Sequence, residues 1–163
     1  MPWFRSANRG LAAIAFATVA LTASADTSAA NPLASMHGAW SGAGQFRLDN
    51  GRSEQMRCSA LYSTRGGATL GLALRCASAG NRIELRARLA SRGNRVSGSW
   101  EERSYSASGT VSGVAAGNSL RLSIQGSGLS GFMVVTTNGR TQSISVRTDT
   151  SALRGVNINL RRQ

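Results

Sequence analysis

From residue 38 onward the chain alternates apolar and polar residues with period two, in short runs separated by clusters of glycine and asparagine. The breaks fall at Asn50-Gly51, Arg65-Gly66-Gly67, Ala79-Gly80, Gly93-Asn94, Gly117-Asn118, Ser127-Gly128 and Asn138-Gly139. Less distinct turns are required near Arg103-Ser104 and Asp149-Thr150. Glycine and asparagine accept the positive φ values of tight hairpins, so these pairs mark reversals of direction. Nine reversals imply about ten strands. The pattern predicts an all-β protein, an antiparallel up-and-down meander without a long amphipathic helix.

The face of each strand follows from pairing across the turns. Folding about Gly67 sets Cys58 opposite Cys76, Ala60 opposite Leu74 and Tyr62 opposite Leu72. Folding about Gly93-Asn94 sets Leu89 against Gly98, Ala87 against Trp100 and Arg86 against Glu101. A turn at Ala79-Gly80 adds Arg75 opposite Glu84, whereas a turn one residue later would oppose Arg75 to Arg86. The same procedure pairs Val111 with Ile124, Leu122 with Met133, and Met133 with Ile144. The first hairpin needs a three-residue loop with a glycine bulge near Gly51, which keeps Phe46, Met56, Trp40 and Tyr62 on one face. One face is then apolar throughout and the other is Arg, Ser, Thr, Gln and Glu. A one-faced sheet of this size buries its apolar side and removes its edges by closing on itself. A closed or nearly closed barrel is therefore expected first, and a folded-over sandwich second.

The first 37 residues follow a different grammar. Arg5 and Arg9 precede an apolar run from Leu11 to Leu21, and Ala23-Ser24-Ala25 has the small-x-small form of a signal-peptidase site. The run is shorter than the ~20 residues a membrane-spanning helix requires. The predicted organisation is a signal peptide over 1–25, a flexible lead-in over 26–37 and one β domain over 38–163. The expected location is the periplasm or the exterior, where Cys58 and Cys76 would form a structural disulfide. All 19 basic residues are arginine against seven acids. Without Arg5 and Arg9 the remaining 17 arginines give a net charge of +10. Such a charge favours an anionic envelope surface or an acidic protein partner.

Candidate catalytic chemistry is sparse. His37 is the only histidine and lies before the first strand, so a Ser-His-Asp or Cys-His arrangement would depend on it. Glu101 and Glu102 are adjacent and point to opposite faces of a strand, so they cannot flank one bond. Glu102 falls on the apolar face near a strand end, a place from which it could orient a polar ligand group. Two cysteines and one histidine do not make a zinc site. The aromatic residues fall on the face opposite the arginines, which argues against nucleic acid. No enzyme, metal or cofactor is expected.

Gly38-Ala39-Trp40, a Gly-x-Trp on the first strand of an exported meander, resembles the opening of the lipocalin-like (calycin) barrels. It also resembles, more loosely, the exported metalloprotease inhibitors of bacteria. The resemblance implies that Trp40 plugs one end of the barrel and that Arg161 or Arg162 packs across it. It further implies either a small hydrophobic ligand inside the barrel or a protease entered by the segment from Asp26 to His37. Inward glycines and alanines such as Gly98 and Gly113 would either enlarge an interior space or permit strong curvature, letting Trp40, Trp100 and Tyr62 fill the centre. The expected function is binding of a small apolar or amphipathic ligand at Trp40, Tyr62, Trp100, Glu102 and Met133. The alternative is an inhibitor or envelope-interaction protein acting through its outer surface.

Overall fold

The structure, a computed structural model, describes residues 31–149 and 152–163. The expected signal peptide therefore lies outside the described residues, as do residues 26–30 of the lead-in. A short helix α1 (Pro32–Ser35) precedes β1 (Gly38–Leu48), β2 (Ser53–Arg65), β3 (Thr69–Ala77), β4 (Arg82–Arg92) and β5 (Arg95–Glu102). Then follow β6 (Ala107–Ala116), β7 (Ser119–Gly126), β8 (Leu129–Asn138), β9 (Thr141–Thr148) and β10 (Leu153–Arg162). Each strand pairs antiparallel with its chain neighbours, and β10 pairs with β1 to close the barrel. Closure runs from Trp40 opposite Arg162 to Leu48 opposite Leu153, with one irregularity beside Arg47. All ten strands thus have partners on both sides, and the exposed edge that a meander sheet would carry is gone.

The hairpin chemistry produces the expected registers almost throughout. Gly51 at φ +78 ends a three-residue loop in which the Leu48 amide donates to Arg52 O at 2.8 Å. Ser127 and Gly128 both take positive φ, as a two-residue turn between Gly126 and Leu129 requires. Arg75 lies opposite Glu84, Arg86 opposite Glu101, and Cys58 opposite Cys76. One register differs. Met133 pairs with Val146 and Ile144 with Val135, because the loop is Gly139-Arg140 rather than Asn138-Gly139. Gly139 takes the positive φ of the first central position, at +56, which moves the turn by one residue. The slip is two residues along the partner strand, so every side chain keeps its face.

One expectation about backbone is corrected, and one left open is decided. The lead-in was expected to be flexible through residue 37, but residues 32–35 form a helical turn. Asn31 caps it by accepting the Leu33 amide at 3.0 Å, and Pro32 opens it. Leu33 and Met36 are thereby buried at one end of the barrel. Of the two roles open to the inward glycines, a wider interior or curvature, the backbone geometry fits curvature. A Cβ at Gly98 would lie 2.0 Å from Arg88 O, and one at Gly113 would lie 2.0 Å from Arg121 O. These strands bend sharply enough to bring neighbouring backbone where a side chain would begin.

The disulfide Cys58–Cys76 joins β2 to β3 with Cα atoms 4.1 Å apart, and both cysteines face the core. Replacing both with alanine should lower stability by about 3 kcal/mol in chemical denaturation while keeping the β spectrum. Gly98→Ala should cost more than about 2 kcal/mol, because backbone rather than a flexible side chain must move. A neutral Gly98→Ala would show that the strand is not bent there.

Candidate functional site

The two ends of the barrel differ. One end carries α1 and the turns after β2, β4, β6 and β8. There the inward side chains Leu33, Met36, Trp40, Tyr62, Leu70, Leu120 and Leu160 are all at most 3% exposed. Trp40 donates its indole N–H to Met36 O at 2.8 Å and meets Tyr62 edge-on, with ring centroids 6.4 Å apart. The Arg162 guanidinium lies 4.5 Å from the centroid of the Trp40 ring. It also donates to the carbonyls of Ser35 and His37. One cation therefore ties the last strand, the first strand and the helix together. Tyr62 donates to Gln142 Oε1 at 2.7 Å, and Gln142 donates to Thr137 at 3.1 Å, so the buried polar atoms of the seal have partners. Burial pushes the Tyr62 hydroxyl well above the usual phenol range, with the bond to Gln142 acting weakly in the opposite direction.

At the other end Phe46, Met56 and Cys76 are buried, but other inward side chains are incompletely covered. Leu48, Leu85, Trp100, Leu129, Met133 and Leu153 pack against the core yet remain partly exposed. Among the polar groups at this end, the inward Thr148 hydroxyl donates to Leu153 O, and the carboxylates of Glu102 and Glu54 are engaged by loops. Glu102 accepts the amides of Glu84 at 2.7 Å, Ser104 at 3.2 Å and Tyr105 at 2.7 Å. Glu54 accepts from Asn81 at 2.8 Å, from the Gly80 amide at 3.3 Å and from the Ser78 hydroxyl. The Ser78 hydroxyl is the main reason the Glu54 carboxyl titrates below its ordinary range. Tyr105 adds a bond to Asn81 at 2.9 Å and so links two rim loops. Within the mouth, Trp100 is flanked across the ladders by Ala87 and Gly109. Its indole nitrogen is buried and has no hydrogen-bond partner. A buried donor left unpaired costs about 1–3 kcal/mol, so an acceptor supplied from outside would be favoured there.

The five residues expected at a ligand site therefore divide. Trp40 and Tyr62 belong to the seal. Trp100 and Met133 lie in the open half, and Glu102 stands on the rim with its oxygens already holding backbone. Sequence reasoning missed Leu48, Leu129 and Leu153 at the mouth, because each sits where alternation gives way to a turn. It also missed Gln142 and Thr137, polar residues on inward positions whose only signal was their parity. His37 is exposed, with its ring nitrogen 3.4 Å from the Thr64 hydroxyl. Among the described residues no group of three or more His, Cys, Asp and Glu side chains is placed to hold a metal.

These features define a class: a ten-stranded closed antiparallel barrel, sealed at the Trp40 end and with several partly exposed apolar side chains at the other. No family model and no curated sequence matches the chain. Among solved structures it is similar to Rv2717c from M. tuberculosis, with TM-score 0.71 and 16% identity over 84% of this chain and 98% of that one. It is also similar to the S-type phycobiliprotein lyase CPES from Guillardia theta, with TM-score 0.60 and 8% identity over 80% and 90%. A third similar structure is EF1p2_mFAP2b bound to DFHBI, with TM-score 0.52 and 12% identity over 83% and 100%. At these identities the likeness is one of fold.

Tyr62→Phe should cost about 1–2 kcal/mol, because it leaves Gln142 without its buried donor. The pH dependence has a definite sign. The Tyr62 hydroxyl ionises more easily in the unfolded chain, so its contribution is complete below about pH 10 and falls as pH rises further. Alkaline denaturation of Tyr62→Phe should lack this component. An identical alkaline limb in both proteins would contradict the burial of the hydroxyl.

Proposed function

We propose that the protein binds a small apolar or amphipathic molecule in the open half of its barrel. The observation that carries this reading is the asymmetry of the inward face: fully covered at the Trp40 end, partly exposed and apolar at the Trp100 end. The unpartnered indole N–H of Trp100 selects ligands that bring one acceptor, a carbonyl or carboxylate, into an otherwise apolar space. Binding rather than catalysis fits the side chains present, since the two carboxylates nearest the mouth hold rim loops. The barrel of similar fold bound to DFHBI supports the capacity of the architecture to take a small molecule. The similar phycobiliprotein lyase supports the same reading coarsely. Export to the periplasm or exterior belongs to this proposal, supported by the N-terminal pattern and the Cys58–Cys76 disulfide. The alternative of a protease-entering N-terminal segment is disfavoured by α1, whose apolar residues fold back onto the barrel end.

The test is titration of the full chain with laurate and with dodecane of equal length. Laurate should bind saturably, with one site and a Kd on the order of 10 µM. Trp100→Phe should weaken laurate by roughly fivefold to tenfold and leave the hydrocarbon unchanged. Absence of saturable uptake of either ligand would refute the reading.

A further inference from the structure

Large apolar side chains on the outward face of the strands are few: Leu61 on β2 stands alone between Ala39 and Ala73, and one group clusters on β6 and β8. Phe132 and Val134 on β8 and Val114 on β6 are large apolar side chains exposed to solvent, Phe132 to 64%. The registers bring them together with two arginines. Val114 lies opposite Arg121, Arg121 opposite Val134, and Phe132 opposite Arg147. The residues around them are small and hydroxylated, such as Ser123 opposite Phe132 and Ser145 opposite Val134. The chain has no acidic residue between Glu102 and Asp149, a stretch that spans β6 to β9. Apolar side chains framed by cations, with Asp149 at the strand end as the one anion beside them, form the composition of a shallow interfacial anchor.

We infer that this patch docks the barrel on an anionic phospholipid bilayer, with Phe132 and Val134 entering the headgroup boundary and Arg121 and Arg147 meeting lipid phosphates. A protein partner fits less well. Three apolar side chains on a convex strand surface fall short of the ~800 Å² per partner that a stable protein interface buries. A bilayer interface needs no such area or complementary shape, because lipids rearrange around the inserted groups. The anchor lies on the outer face of β8, whereas Met133 between its two residues faces inward, so the anchor stands or falls independently of the ligand reading.

The experiment uses the full chain at physiological salt and vesicles of phosphatidylcholine with about one third phosphatidylglycerol. Residues 1–30 are common to all variants, so their contribution cancels. Arg121→Gln with Arg147→Gln should weaken partitioning by roughly 20- to 30-fold, since each arginine near the surface contributes a factor of about five. Arg57→Gln with Arg75→Gln removes the same charge from β2 and β3, across the barrel. A ten-stranded barrel is on the order of 20 Å wide, against a screening length of about 8 Å, so that pair should change partitioning by less than about threefold. Phe132→Ser with Val134→Ser should weaken it about tenfold. Phe132→Trp adds a direct readout, a blue shift of its emission on vesicle addition beyond that of the parent protein. Equal losses in the two arginine pairs, or no effect of Phe132→Ser with Val134→Ser, would overturn the inference. So would intact vesicle binding by that serine pair together with loss of a dimer in size exclusion, which would assign the patch to a second copy of the chain.

Discussion

The structure depends on closure. Ten strands with one apolar face cannot remain an open sheet in water, because both the apolar face and the two end strands would be exposed. The ladder between β1 and β10 removes both problems, and its register places Arg162 opposite Trp40. Arg162 lies over the Trp40 ring and donates to carbonyls just before β1, so the end of β10 holds the segment that enters β1. Curvature is the other requirement of closure. Glycines at positions such as 98, 109, 113 and 131 meet it, because only a residue without Cβ allows a neighbouring carbonyl so close.

Closure also makes the molecule polar along its axis. Sealing the Trp40 end requires a helical turn, an aromatic pair, a cation and a buried Tyr62–Gln142–Thr137 chain. At the opposite end, among the described residues, Glu54 and Glu102 hold rim loops while several inward leucines stay partly exposed. On the proposed reading, a ligand meets hydrocarbon and a single indole donor there. Selectivity is then expected to come from length, shape and one acceptor rather than from charge recognition.

Most of the architecture was legible because period-two alternation and turn chemistry are local signals. Cys58 opposite Cys76 and Arg75 opposite Glu84 followed from counting residues across a turn. The shift at Gly139-Arg140 was hidden, since Asn138-Gly139 and Gly139-Arg140 are both acceptable turns and give the same faces. The helix at Pro32 was missed because four residues carry no periodicity, although Asn31-Pro32 with Leu33 and Met36 three apart was its trace. The site was less legible than the fold. Sequence parity shows that Trp40, Tyr62, Trp100 and Met133 face inward, but not which end of the barrel each occupies in relation to the seal. Glu102 was misjudged because its partners are backbone amides, which no side-chain pattern reveals.

The central claim is that the open half around Trp100 receives a ligand while the Trp40 end stays closed. The indole N–H signals in a nitrogen-edited proton NMR spectrum report on both ends at once. On titration with laurate the Trp100 indole proton should move strongly, as an unpartnered donor gains an acceptor. The Trp40 signal, already bonded to Met36 O, should stay in place. Movement of Trp40 with a stationary Trp100, or no movement of either at saturating laurate, would contradict the account.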